Sequence, residues 1–365
     1  MYIYQLPNWP NFKWDQDAIS ALLAEVRYRQ GRLVGKMEGM GFSLQAETSL
    51  KTLTFDVLKS SEIEGEILDA EQVRSSIARR LGMDLAGLIP ADRNIEGVVE
   101  MMLDATQNYE STLTSDRLFD WHAAMFPTGR RGMQKIVVSN WRNNTKKDPM
   151  QVVSGPMGRE KIHYQAPDSD LLGHEMKRCL DWFNSDSSID TVLKAALSHL
   201  WFVTIHPFAD GNGRIARAIT DMQLARTDKS AQRFYSMSAQ IRKERSEYYN
   251  VLERTQKGTL DITDWLVWFL NCLDEAIVAT DKTLAEVMTK AKFWEKNSQG
   301  FNDRQKLMLS KLLDGFEGKL TSSTWAKIAK CSSDTAVRDI SDLVTRAVLI
   351  KEPEGGRSTS YFLKV

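Results

Sequence analysis

The stretch His206-Pro-Phe-Ala-Asp-Gly-Asn-Gly-Arg-Ile-Ala-Arg217 constrains this chain more than any other. It lies between two segments with a helical rhythm. Upstream, Leu197, Leu200, Trp201 and Ile205 recur at helical spacing. Pro207 biases His206 away from the helical region, so the first helix should stop there. Downstream, Ile215, Ile219 and Met222 restart the pattern. Gly211 and Gly213 allow a tight turn and a close backbone approach to a ligand. The first N–H groups of the second helix have no partner within it and form an anion site. Arg214 and Arg217 lie about one turn apart and share a face. Asp210 can hold a hard cation such as Mg2+, which commonly bridges phosphates. His206, at the mouth of the anion site, is a candidate base. Each of these residues alone is more often structural; their combination points to phosphate handling. No Gly-Lys-Ser/Thr follows the glycines, which excludes a Walker loop in this stretch.

At 365 residues the chain has room for two or three domains. Its formal net charge is zero, so no global field recruits nucleic acid or an anionic membrane. Cys179, Cys272 and Cys331 are far apart without metal-ligand spacing, and read as reduced thiols. The N-terminus lacks a basic region followed by a long apolar run, so no signal peptide is expected. The greasiest run, Trp265 to Leu273, is too short to span a bilayer and is interrupted by Asn271. A cytoplasmic location is the expectation.

Three regions are expected: 1–90, 91–290 and 295–365. The first opens on an arm rich in proline and aromatics, with Tyr4, Pro7, Trp9, Pro10, Phe12 and Trp14, which should pack on the main body. A helix follows from Asp15 or Asp17. A second helix, through Leu50, Leu53 and Val57, runs into Ser60-Ser-Glu-Ile-Glu-Gly65, where Ser60 and Glu64 share a face. The second region reads as a helical core. It is broken between Pro127 and Pro167, where Ile136–Trp141, Met150–Val153 and Lys161–Tyr164 are strand candidates. The long helix 262–287 closes it.

The string from His206 to Arg217 resembles the Fic signature His-x-Phe-x-(Asp/Glu)-Gly-Asn-Gly-(Arg/Lys)-x-x-Arg. All eight fixed positions match: His206, Phe208, Asp210, Gly211, Asn212, Gly213, Arg214 and Arg217. The resemblance implies a mainly α, Fic-type helical core with a β-hairpin flap. It further implies a protein adenylyltransferase that moves AMP from ATP to a Ser, Thr or Tyr hydroxyl of a protein, the chain itself included. In that reading His206 is the base and Asp210 holds Mg2+. Gly211, Asn212 and Gly213 face the α-phosphate, Arg214 the β-phosphate and Arg217 the γ-phosphate. After the signature, Tyr248 and Gln256 are matched to the base and ribose pocket. Gly158 to Tyr164, with Lys161, Ile162 and His163, is the flap that would pair with the target segment. Ser60-Ser-Glu-Ile-Glu-Gly65 resembles the Fic inhibitory motif Ser/Thr-x-x-x-Glu-Gly/Asn. It implies that Glu64 pairs with Arg217 and takes the arginine that otherwise holds the γ-phosphate. In some relatives that glutamate orients a water that removes AMP, which leaves de-AMPylation open here.

Residues 295–365 resemble a winged helix-turn-helix. Three helices are expected, over 305–315, 321–330 and 332–344. Strands at Leu349–Lys351 and Ser360–Leu363 should follow, around a wing-like turn at Glu354-Gly-Gly-Arg357. Asp334, Asp339 and Asp342 on the third helix disfavour a phosphate-facing role, so protein docking is preferred over DNA binding. The alternative function is a winged-helix DNA-binding regulator whose Fic core senses ATP. Self-association as a homodimer is a further expectation, drawn from the apolar content.

Overall fold

The computed structural model describes residues 1–364 except 84, 86, 157, 298, 299, 317 and 353–358. The chain divides into two compact units, Met1–Met83 with Ile89–Thr283, and Asp84–Leu88 with Leu284–Val365.

In the first unit, an aromatic arm precedes α1 (Gln16–Glu38), whose start is capped by Asp15. The arm packs as its composition requires: Trp9 lies edge-on to Trp201 and donates its indole N–H to Glu175 at 2.8 Å. Then come α2 (Phe42–Ile63), α3 (Ala70–Arg80), α4 (Arg93–Gln107) and α5 (Ser115–Met125). Two small antiparallel pairs follow, β1 (Arg130–Arg131) with β2 (Gln134–Lys135), and β3 (Gln151–Ser154) with β4 (Lys161–Gln165). The remaining helices of this unit are α6 (Leu172–Asn184), α7 (Thr191–Ile205), α8 (Asn212–Asp228), α9 (Met237–Lys243), α10 (Arg245–Gln256) and the first part of α11 (Thr263–Lys296).

α7 is the axis of the unit. Every residue from Val192 to Ile205 is buried, as expected of a helix apolar on all sides. Trp265 of α11 fastens to it by donating its indole N–H to the Ala196 carbonyl at 2.9 Å. α8 is equally enclosed but carries buried charge. Asp221 pairs with Arg233, which also binds Asp228, so the cation is compensated from two sides.

One strand expectation fails. Residues 136–141 form no strand, and the pair to Gln134–Lys135 is the short turn partner Arg130–Arg131. The apolar run that suggested a strand is instead a strap. Trp141 packs on Phe119 and Phe208, and the Arg142 backbone N–H donates to the Pro207 carbonyl at 2.9 Å. The run is half-buried or exposed, and Trp141 and the Arg142 backbone tie it to the loop without ladder pairing.

The second unit holds α12 (Asp303–Leu313), α13 (Ser322–Ile328), α14 (Ser333–Thr345) and the antiparallel pair β5 (Leu349–Lys351) with β6 (Tyr361–Leu363). Met308, Leu309, Trp325, Ile340 and Leu343 form its core. Asp339 departs from the surface role read for it. It turns inward and accepts from Arg304 at 2.7 Å and Asn302 at 2.9 Å. The turn expected at Glu354–Arg357 lies outside the described residues. Among the described residues, no helix is long and apolar enough to cross a membrane.

Candidate active site

The site is built on the junction of α7 and α8. α7 ends on His206, which takes a left-handed conformation (φ 52°) and lets the chain leave the helix axis at once. Arg142 holds this exit. Its Nε donates to the His206 carbonyl at 2.7 Å, and a terminal nitrogen donates to the Pro167 carbonyl at 2.6 Å. Arg142 had no signal in the sequence, because its partners are backbone oxygens distant in the chain.

His206 donates from Nδ1 to the Val203 carbonyl at 3.3 Å. A carbonyl can only accept, so the proton sits on Nδ1 and the lone pair on Nε2. Burial lowers its pKa to about 4, with the nearby Glu64 and Asp210 pulling weakly the other way. The imidazole is therefore neutral at pH 7 with a basic nitrogen available to a substrate.

Phe208 is wholly buried and stacks on His122, centroids 4.3 Å apart. Asn212 closes the loop around it. Its Oδ1 accepts the Phe208 N–H at 2.9 Å and its Nδ2 donates to the Phe208 carbonyl at 2.8 Å. Both ends of the Asn212 side chain are thus spent on the loop, and a ligand would meet its backbone N–H. Gly211 is left-handed (φ 80°), and an added Cβ would press on Met125 and Phe126 at 3.0 Å. Asp210 sits beside it, its Oδ1 accepting the Gly211 N–H at 2.7 Å.

Glu64 reaches this loop from the end of α2. Its Oε1 accepts from Arg217 at 2.8 Å, and the same guanidinium donates to the hydroxyl and carbonyl of Ser60 at 2.8 and 2.9 Å. Arg217 is only 2 % exposed. A Cβ on Gly213 would lie 2.1 Å from Glu64 Oε1, so the carboxylate rests directly on the start of α8. Burial opposes its charge, but Arg217 and then Arg214 outweigh that and hold Glu64 below the usual carboxylate range. Arg214 is paired too, by Glu66 at 2.6 Å, a residue that the motif did not include.

Tyr248 is buried, its hydroxyl within 2.9 Å of His199 Nε2, while His199 Nδ1 meets Thr220. Gln256 is also buried against the end of α7, near Val203 and Thr204. Tyr249, next to Tyr248 in the chain, reaches toward the Ile63 carbonyl at 3.4 Å, beside the base of the Glu64 turn. On the hairpin, Lys161 and Ile162 are exposed. A register irregularity between Val152 and Val153 leaves His163 without a cross-strand partner. Its ring meets Glu253 at 2.6 Å and Ser154 at 2.5 Å. Tyr164, on the other side, anchors the hairpin by donating to the Thr204 carbonyl at 2.6 Å. Among the described residues no group of three or more His, Cys, Asp and Glu gathers as a metal site. Asp210 is the carboxylate of the loop that could hold a cation; Mg2+ as a class takes one or two carboxylates and completes its shell with phosphates and water.

Residues 112–224 match the Fic/DOC family, and residues 2–83 match a domain of unknown function (DUF4172). The protein adenylyltransferase Fic of Drosophila willistoni is 26 % identical over 227 residues, covering 60 % of this chain and 40 % of that protein. That of Drosophila grimshawi is 33 % identical over 227 residues, covering 60 % and 41 %. The chain thus spans about two fifths of these relatives' length. A Fic family protein from Desulfovibrio desulfuricans has a similar fold, with a TM-score of 0.55 over 96 % of this chain and 97 % of that one at 20 % identity. The signature loop lies between two buried helices, within the residues 112–224 that are similar to the Fic/DOC family.

Proposed function

We propose that this chain is a protein adenylyltransferase held off by its own α2. The observation that carries the reading is the Glu64 carboxylate, seated on Gly213 and paired with buried Arg217, at a helix start flanked by a neutral histidine. A carboxylate in an anion site is the mimic that a phosphate would displace.

In the reaction a hydroxyl oxygen of the target attacks the α-phosphorus of ATP. The bond from that phosphorus to the bridging oxygen breaks, and pyrophosphate leaves. His206 Nε2 takes the hydroxyl proton. The first N–H groups of α8 receive the charge that develops on the α-phosphate oxygens. Arg214 and Arg217 hold the β- and γ-phosphates once their carboxylates withdraw. Asp210 would hold Mg2+, whose chemistry there would be to neutralise polyphosphate charge. Phe208, Asn212 and Arg142 keep the loop in shape. The hairpin offers Val153 and Ile162, a cross-strand pair with both side chains exposed, for an extended target segment to lie on. The protein partner, a homodimer, removal of AMP by a water on Glu64, a cytoplasmic setting and a winged-helix docking role for residues 295–365 all belong to this proposal.

Pyrophosphate release tests it. Glu64→Gly should release pyrophosphate from ATP in the presence of an acceptor protein, and Glu64→Gly/His206→Ala should not. Release of ADP in place of pyrophosphate would overturn AMP transfer.

A further inference from the structure

We infer that Glu66 is a second inhibitory carboxylate, which withholds Arg214 from a nucleotide phosphate while Glu64 withholds Arg217. The identity of the ligand rests on the reading above; the contact itself does not.

The geometry begins at the end of α2. Gly65 is left-handed (φ 85°), its N–H donates to the Glu62 carbonyl at 3.1 Å, and the Glu66 N–H donates to the Ser61 carbonyl at 3.0 Å. These bonds close the helix end in the manner of a left-handed cap. Glu66 is therefore fixed to the same turn as Glu64. The reversal at Gly65 sets both carboxylates on α8, where Arg214 and Arg217 stand one turn apart. Glu66 Oε2 lies 2.6 Å from an Arg214 terminal nitrogen.

Arg214 is a buried cation, 5 % exposed, with its guanidinium over the Phe126 ring at 5.2 Å. Among the described residues its Nε–H has no hydrogen-bond partner, and neither has one terminal nitrogen of Arg217. Two buried guanidinium groups with donors to spare are what a polyphosphate would satisfy. A nucleotide must first move two carboxylates, and until then it meets them as like charges.

The two contacts act differently. Glu64 lies on Gly213 and so obstructs the start of α8 itself, where reaction would occur. The Glu66 carboxylate bonds Arg214 and is not among the atoms against Gly213. Its side chain is 38 % exposed, so water screens the pair and makes it exchangeable. Glu66 thus sets how tightly ATP binds, and Glu64 sets whether bound ATP reacts. We expect its removal to tighten ATP binding about tenfold, or about 1.4 kcal/mol.

The test is a titration of full-length wild type, Glu66→Gln, Glu64→Gly and Glu64→Gly/Glu66→Gln with ATP and with adenosine, alongside steady-state kinetics of the last two. The expected result is a dissociation constant for ATP about tenfold lower in each protein lacking Glu66 than in its parent. Adenosine should bind all four alike. The double variant should have a lower KM for ATP than Glu64→Gly at similar kcat. Equal ATP affinity in Glu64→Gly and the double variant would overturn the inference while Glu64→Gly remains active. Equal tightening of adenosine and ATP would overturn it as well, since the effect would not run through Arg214. Tightening of ATP alone, in proteins that transfer no AMP, would sustain the Glu66 contact and reject the transferase reading.

Discussion

Gly213→Ala probes the contact between Glu64 and the signature loop from the side opposite to Glu64 itself. The new methyl would stand 2.1 Å from Glu64 Oε1 and 3.1 Å from an Arg217 nitrogen. The helix backbone does not yield at so enclosed a position, so the carboxylate must swing away. That forfeits a charge-assisted bond to a buried guanidinium, about 1.5–3 kcal/mol. Alanine in place of glycine within a helix returns about 0.8–1 kcal/mol. The net loss is about 0.5–2 kcal/mol, or about 1–8 °C in midpoint at about 2–4 °C per kcal/mol for a domain of roughly 150–250 residues. In a Glu64→Ala background the contact is already gone, and the same substitution should be neutral or stabilising by up to about 1 kcal/mol. The sign of the effect therefore reverses with Glu64, a coupling of about 1.5–3 kcal/mol in a double-mutant cycle. Thermal or urea unfolding of the four proteins measures it. A Gly213→Ala cost that is the same with and without Glu64 would refute the placement of the carboxylate on the loop.

Other consequences can be checked with simpler variants. Asn212→Ala strands the Phe208 N–H and carbonyl in a buried loop and should cost about 3 kcal/mol in urea unfolding, and Asn212→Asp, which sets a buried carboxylate oxygen against the Phe208 carbonyl, should cost at least as much at neutral pH. The pH profile of Glu64→Gly should be flat from neutral pH to about 5 and fall only as His206 gains its proton near its lowered pKa, about 4. Removing Glu64 takes away a charge that raised that pKa, so the limb moves down, and a midpoint near the ordinary imidazole value of 6.5 would reject burial as what sets the His206 limb. Ile162→Asp on the hairpin should raise KM for a protein acceptor and leave ATP affinity unchanged in calorimetry.

How far the sequence disclosed this molecule depended on the distance over which residues act. The α7–loop–α8 unit was legible because its glycines, proline and apolar spacing are local rules, and His206 ends its helix where Pro207 predicts. The Glu64–Arg217 pair was legible only through resemblance, since the partners are 153 positions apart. Glu66 was not, because a short motif ends at Gly65 and nothing in the sequence marks Arg214 as its partner. Residues 136–141 misled for a physical reason. Apolar residues suit a strand or a packed strap equally, and only the positions of Phe119, Phe208 and Pro207 decide between them. Tyr248 and Gln256 illustrate a further limit. They were matched to a nucleotide pocket through resemblance alone, and their side chains meet His199 and the end of α7.

The central claim is that withdrawal of Glu64 releases AMP transfer by His206. It is tested most directly by incubating wild type, Glu64→Gly and Glu64→Gly/His206→Ala with α-labelled ATP and Mg2+, with intact-mass analysis of the chain. The account predicts AMP on Glu64→Gly, and far less on wild type or on the protein that also lacks His206. Label carried by all three proteins alike, or transferred only from the γ-position, would contradict it.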